Sequence, residues 1–179
     1  VLSSKDINRR QATHLEQILN LSPNVNFASG ASRGRFVQIR GIGERSQFIE
    51  PVNPSVGIAI DGIDFTGIAG AATTMDIRQI EIFRGPQGTL FGANALAGLI
   101  NLKSYQPTDD MEGTRSLPSG TYNSNTLAAA AGGPIDDSAG YRVSIQSHNS
   151  DGFITNDYLR RDDTDDIDEL GLRLITKWT

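Results

Sequence analysis

Asp76-Ile77-Arg78-Gln79-Ile80-Glu81-Ile82-Phe83-Arg84-Gly85-Pro86-Gln87-Gly88-Thr89-Leu90-Phe91-Gly92-Ala93-Asn94-Ala95 is the stretch on which the reading of this chain turns. Its first half alternates, with Ile80 and Ile82 set among Gln79, Glu81 and Phe83. A period of two predicts a strand with one buried face. Its second half is glycine-rich and looks at first like a phosphate loop. It lacks the Gly-Lys-Ser/Thr ending, so no lysine is placed for a terminal phosphate. Outward from it, the same period recurs in Val37 and Ile39, in Val56, Ile58 and Ile60, and in Leu99 to Lys103. Gly-rich turns separate these runs, and the connections are too short for many βαβ crossovers. Upstream, Thr13-His14-Leu15-Glu16 fits a capping box, with Leu15, Ile18 and Leu19 on one helical face and a stop before Pro23. Residues 1–106 therefore read as mixed α and β.

The texture changes near Pro107. Up to residue 106 there are ten Lys and Arg against eight Asp and Glu, a net of +2; beyond it six stand against thirteen, a net of −7. The second part alternates over longer runs. Tyr141, Val143 and Ile145 interleave with Arg142, Ser144 and Gln146, and Leu170, Leu172 and Leu174 with Gly171, Arg173 and Ile175; Trp178 follows. Strands of about ten residues with one apolar face suit an outer-membrane barrel. A soluble antiparallel sheet gives the same pattern, so periodicity alone leaves both open.

Composition excludes several chemistries. There is no Cys among the 179 residues, hence no disulfide and no thiolate ligand or nucleophile. A pI near 4.9 argues against a nucleic-acid binder. No Ser lies in a Gly-x-Ser-x-Gly elbow. His14, expected on the exposed side of its helix, and His148, expected on a strand, have no ligand-spaced partner. The acidic run Asp162, Asp163, Asp165, Asp166, Asp168 and Glu169 lacks the glycine of an EF-hand loop and reads as a solvated loop or a loose divalent-cation contact. No catalytic constellation, metal site or cofactor site emerges, and an enzyme is not expected.

Three further pieces give the central stretch its specificity: Val37-Gln38-Ile39-Arg40-Gly41, Ile60-Asp61-Gly62-Ile63 and Gly98-Leu99-Ile100-Asn101-Leu102. In this order and at these distances they resemble the plug domain of TonB-dependent outer-membrane receptors, through about Pro107. The resemblance continues more weakly from Glu112 to Thr179, which is similar to the first barrel strands of such a receptor. It implies an α+β plug over 1–106 with a short mixed sheet and small helices. It implies that 107–179 is the first about four antiparallel strands of an incomplete 22-stranded barrel. Family members take up a scarce nutrient, often an iron–siderophore chelate or a cobalamin, across the bacterial outer membrane. The TonB complex of the inner membrane pulls on an N-terminal segment, which by the resemblance is expected to lie ahead of the residues read here. Outer-membrane lipid is the other expected partner.

The resemblance also assigns residues. Arg40 and Arg84 would pair with carboxylates that lock plug to barrel, with Glu81 as the plug-side member; the plain alternative is exposed strand-end charges of little worth. Gly41 would form the turn that ends its strand, Gly85, Gly88, Gly92 and Gly98 would let backbone approach backbone, and Pro86 would set the turn after Arg84. Ligand would meet two outward loops through Glu44, Arg45, Gln47 and Phe48, and through Phe65 and Thr66. The turn at Ser119 to Asn123 and the acidic stretch from Asp157 to Glu169 would lie outside, and Pro134 to Ser138 inside. Four strands leave two open edges, so this piece alone would not transport. A soluble α+β module that binds a small ligand without transport is the other reading.

Overall fold

The strands with the least charge lie where burial is deepest. β4 (Val56–Ile60) and β7 (Gly98–Ser104) pair in parallel, and both are buried along almost their whole length. β6 (Ile77–Phe83) runs antiparallel to β7 on its other side, and the short β1 (Leu2–Ser3) and β5 (Ile63–Asp64) close the edges, giving the order β1-β6-β7-β4-β5. The computed structural model describes residues 1–28, 36–44, 54–68, 73–88, 95–161, 164 and 166–178. These form two compact units, Val1–Ser104 and Tyr105–Thr179.

One face of the first unit's sheet carries Ile58, Ile60, Ile77, Ile80, Ile100 and Leu102. They pack with α1 (Ser4–Arg10), α2 (Leu15–Leu19) and the separate hairpin of β2 (Val25–Ala28) with β3 (Phe36–Ile39). The opposite face is narrower, with Ala59, Ala95 and Leu99 against Phe83. Small residues there let β4 be buried on both sides. Two local expectations shift. The box that starts α2 is closed by Gln17, not Glu16: Gln17 Oε1 accepts from the backbone N–H of Thr13 at 2.7 Å and of His14 at 3.3 Å. His14 is buried rather than exposed, bridging to Thr73.

The second unit is an antiparallel meander of β8 (Glu112–Ser116), β9 (Asn125–Asp136), β10 (Ala139–Ser150) and β11 (Ile167–Trp178). The register puts Leu127, Val143, Ile145, Leu170, Leu172 and Leu174 on one face. That face is open: Leu170 is 76% and Leu172 73% exposed. The other face of β10 carries Arg142, Ser144, Gln146 and His148, all buried. A soluble sheet has the opposite arrangement, because burying polar groups costs free energy unless they are paired. Two boundaries differ from the sequence reading. Pro134 to Asp136 belongs to β9, leaving a tight turn, and Asp168 and Glu169 belong to β11 rather than to a loop.

Candidate functional site

The motif residues sit at turns where the first sheet and hairpin end. Arg40 and Gly41 both have positive φ, 55° and 78°, and Ile39 and Ile42 exchange backbone hydrogen bonds of 2.9 and 3.0 Å around them. Two left-handed residues between paired neighbours make a tight primed turn. Asp61 and Gly62 do the same between Ile60 and Ile63. The Asp61 carboxylate also accepts the backbone N–H of Ser104 at 2.8 Å, tying the β4 turn to the end of β7. The sequence showed the turn and not this second bond, which spans 43 positions.

Glu81 is engaged, and not with the arginines named beside it. Its oxygens accept from Lys103 Nζ at 2.8 Å, Gln79 Nε2 at 2.7 Å and Asn101 Nδ2 at 3.1 Å. The β6–β7 register sets Glu81 opposite Asn101 and diagonal to Lys103, which brings these groups to one face. Arg40 and Arg84 are exposed, and their side chains pair with no carboxylate among the described residues. The structure therefore does not join the three into one network.

Lys103 donating to Glu81 holds the carboxyl below the usual glutamate range; burial opposes this, and Asn101 and Gln79 reinforce it. A depressed pKa contributes stability above the unfolded value, about 4.3, and loses it as pH falls through the folded value. Lys103 is 40% exposed and Glu81 17%, so the pair contributes at most about 1 kcal/mol. Lys103→Met should raise the Glu81 midpoint in a carboxyl-carbon NMR titration and shrink the acid-side loss of stability. An unmoved midpoint would take Lys103 out of the account.

The two loop groups fare differently. Glu44 Oε1 accepts from Ser55 N at 2.8 Å and Ser55 Oγ at 2.9 Å, so it closes the base of the loop. Phe65 packs on the main core, and its N–H donates to Ile58 O at 2.8 Å. Thr66 Oγ1 accepts from Ile58 N at 2.9 Å. All three position loops; among the described residues beside the second, Ile63 and Ile68 are exposed apolar side chains that the sequence reading did not place in the ligand set. Arg45, Gln47 and Phe48 lie outside the described residues, as does Gly92.

The expectation of close backbone approach holds at one described site. A Cβ at Gly98 would run into the Phe83 carbonyl and lie 2.6 Å from Ile39 Cδ1, so β7 starts where only glycine fits. Gly41, at φ 78°, occupies the strand-end turn expected of it, whereas around Gly85 and Gly88 no described atom lies within 4 Å of an added Cβ, so the described residues show no tight coil at these two positions. Pro86 is exposed, and Gln87 N–H reaches Ala95 O at 2.9 Å to close that loop. Gly43 was missed: a Cβ there would lie 2.5 Å from Val37 O. Among the described residues no group of three or more His, Cys, Asp or Glu is placed to hold a metal ion.

Comparison with known proteins agrees with this geometry. A family model for the TonB-dependent receptor plug domain matches residues 1–99. The pesticin receptor of Yersinia pestis is 27% identical over 165 residues, covering 91% of this chain and 24% of that protein. The ferric enterobactin receptor PirA of Pseudomonas aeruginosa is 26% identical over 170 residues, covering 84% of this chain and 23% of its own. Among solved structures, the ferric yersiniabactin uptake receptor FyuA from Yersinia pestis has the same fold, with a TM-score of 0.79 at 24% identity over 96% of this chain and 26% of that one. The chain spans about a quarter of the length of these relatives.

Proposed function

The chain belongs to the family of TonB-dependent receptor plug domains, and from that premise we propose that the full-length protein is an outer-membrane receptor for active uptake of a scarce nutrient such as an iron–siderophore complex. Residues 1–106 form the plug that occludes the pore. Residues 107–179 supply the first strands of a barrel of 22 strands. The family is one of transport receptors, and the protein resides in the bacterial outer membrane. The observation that carries the reading is the inverted second sheet. Rows of leucine face outward while Arg142, Gln146 and His148 are buried, the arrangement a barrel wall needs between lipid and lumen. It also weighs against a soluble ligand-binding module, which would expose that apolar face to water. The relatives' names point to ferric siderophores as the ligand class. The segments from Glu44 to Asn53 and from Asp64 to Thr74 are where the plug contributes to binding.

Cells with the full-length gene as their sole such receptor should take up at least one ferric chelate or cobalamin, and lose that uptake on adding an uncoupler. No energy-dependent uptake of any of them would sink the reading. Arg40 and Arg84 supply the plug's side of an electrostatic seam with barrel-wall carboxylates, strengthened by exclusion of water. In the full receptor, Arg40→Ala with Arg84→Ala should make the plug clearly more sensitive to protease. Unchanged cleavage kinetics would return both arginines to the status of exposed strand-end charges.

A further inference from the structure

One end of the second sheet holds a cleft. It lies where β10 ends at Ser150 and β11 begins at Ile167, with the turn before β9 as a further wall, and measures about 470 Å³. Tyr122, Asn149, Asp151, Phe153, Thr155 and Asp166 are among the residues that line it. That is room for a small organic group.

One wall is built against the local preference of the chain. Ser124 N–H donates to Thr121 O at 3.1 Å across Tyr122 and Asn123, whose φ angles are 57° and 50°. Two left-handed residues inside such a bond make a type I′ turn, a place for Asn-Gly. A tyrosine there is a bulky residue in a region it normally avoids. Ties to the next loop hold it: Tyr122 O accepts the Asp151 N–H at 3.0 Å, and the Asn123 amide donates to the Asp151 carboxylate. The Tyr122 ring thereby stands 6.2 Å from that of Phe153, centroid to centroid, at 53°. Both residues are exposed, at 60% and 69%, so the pair is not spent on a core.

Charge decides what fits. Among the described residues no Lys or Arg lines the cleft, and Asp166 has no hydrogen-bond or ion-pair partner. Asp151 gives one oxygen to Asn123 and keeps the other. From Asp151 to Glu169 the sequence carries eight carboxylates against two arginines, a field that repels anions and concentrates cations. Rings this close let one cation stand within about 6 Å of both ring centres. The carboxylates can then accept its N–H groups in charge-assisted hydrogen bonds.

We propose that the cleft binds an alkylammonium group, held by cation–π contact with Tyr122 and Phe153 and by hydrogen bonds to Asp151 and Asp166. On the plug-and-barrel reading, which the inference needs only for its side of the membrane, these strand ends lie outside. The site is then an outward-facing receptor for organic amines, and it turns away an anionic chelate.

The test titrates 1,5-diaminopentane into the purified full-length receptor and follows the heat of binding. Saturable binding is expected, while 1,5-pentanediol, equal in length and uncharged, should give none. Phe153→Ala should weaken binding about 2- to 30-fold, the range of a cation–π contact. Asp166→Asn should weaken it about tenfold or more, as the loss of a hydrogen bond to a charged group. Tyr122→Asn removes a ring yet suits the type I′ turn, so affinity should fall while the barrel stays heat-modifiable on gels. Nα-acetyl-lysine N-methylamide carries the ammonium group as a peptide does. Binding as tight as the diamine's identifies lysine side chains as ligands, and weaker binding identifies free amines. Diamine binding that the diol matches, or that all three variants leave unchanged, would overturn the proposal, as would the absence of saturable heat. If transport is misassigned, energy-dependent uptake fails while the amine still binds. If the cleft is misassigned, uptake stands and the amine does not bind.

Discussion

Leu102→Ala is expected to destabilise the plug by about 2–5 kcal/mol, the cost of removing a fully buried leucine and leaving a cavity. Leu102 has no exposed surface and lies at the centre of a three-residue row, with Ile80 of β6 on one side and Ile60 of β4 on the other. Its carbonyl also accepts the Asp61 N–H at 2.9 Å, so the strand cannot shift to fill the space without loosening the Asp61–Gly62 turn. A domain of this size has about 5–15 kcal/mol in total, and the loss is a large share of it. Residues 1–104 carry no Tyr and no Trp, so fluorescence would report poorly on the plug's core. Backbone amide exchange would: at tenfold per 1.4 kcal/mol, globally exchanging amides of β4, β6 and β7 should speed up by about 30-fold or more. Unchanged exchange in those strands would show that the row is not the plug's cooperative core. Lys103→Met, one residue on and on the opposite face, is the contrast and should cost no more than about 1 kcal/mol.

Leu172→Arg should impair assembly of the full-length protein in the outer membrane, with a cost of about 2–4 kcal/mol if the residue sits near the bilayer midplane. Leu172 is central in the twelve residues of β11, pairs with Ile145, and shares its open face with Leu170 and Leu174. An arginine there would have to leave its charge in hydrocarbon or drag water to it. Leu172→Val keeps the face apolar and should assemble normally. The readouts are the fraction of heat-modifiable barrel on gels and the urea midpoint in lipid vesicles. Wild-type values for Leu172→Arg would mean that this face does not meet lipid, and the barrel reading would fall with it.

Much of the fold was legible because its signals are local. Alternation at Ile80 and Ile82, or at Val56, Ile58 and Ile60, identifies a strand from a handful of residues, since neighbouring side chains on a pleated strand must point to opposite faces. The Asp61–Gly62 turn is equally local, because two adjacent positions need positive φ. The site was less legible where partners are distant. Glu81 looked like a partner for Arg84, three residues away, yet it is held by Lys103 and Asn101, whose approach depends on the β6–β7 register. Glu44 looked like a ligand contact, and the fold assigns it to Ser55. Gly98 and Gly43 are required by atoms of Phe83, Ile39 and Val37, and spacing in the chain says nothing about which atoms will arrive there.

The sequence by itself determined that the chain begins as a small mixed plug, continues as long alternating strands, and carries the motif set of one receptor family. It could not decide which face of those strands is buried, because a soluble sheet and a barrel wall share a period of two. Tertiary structure decided it. Once β9, β10 and β11 pair in register, their leucines fall together on an open face and Arg142, Ser144, Gln146 and His148 on a buried one. Burial is a property of what packs against a face, and alternation within a strand specifies two faces without saying which will be covered.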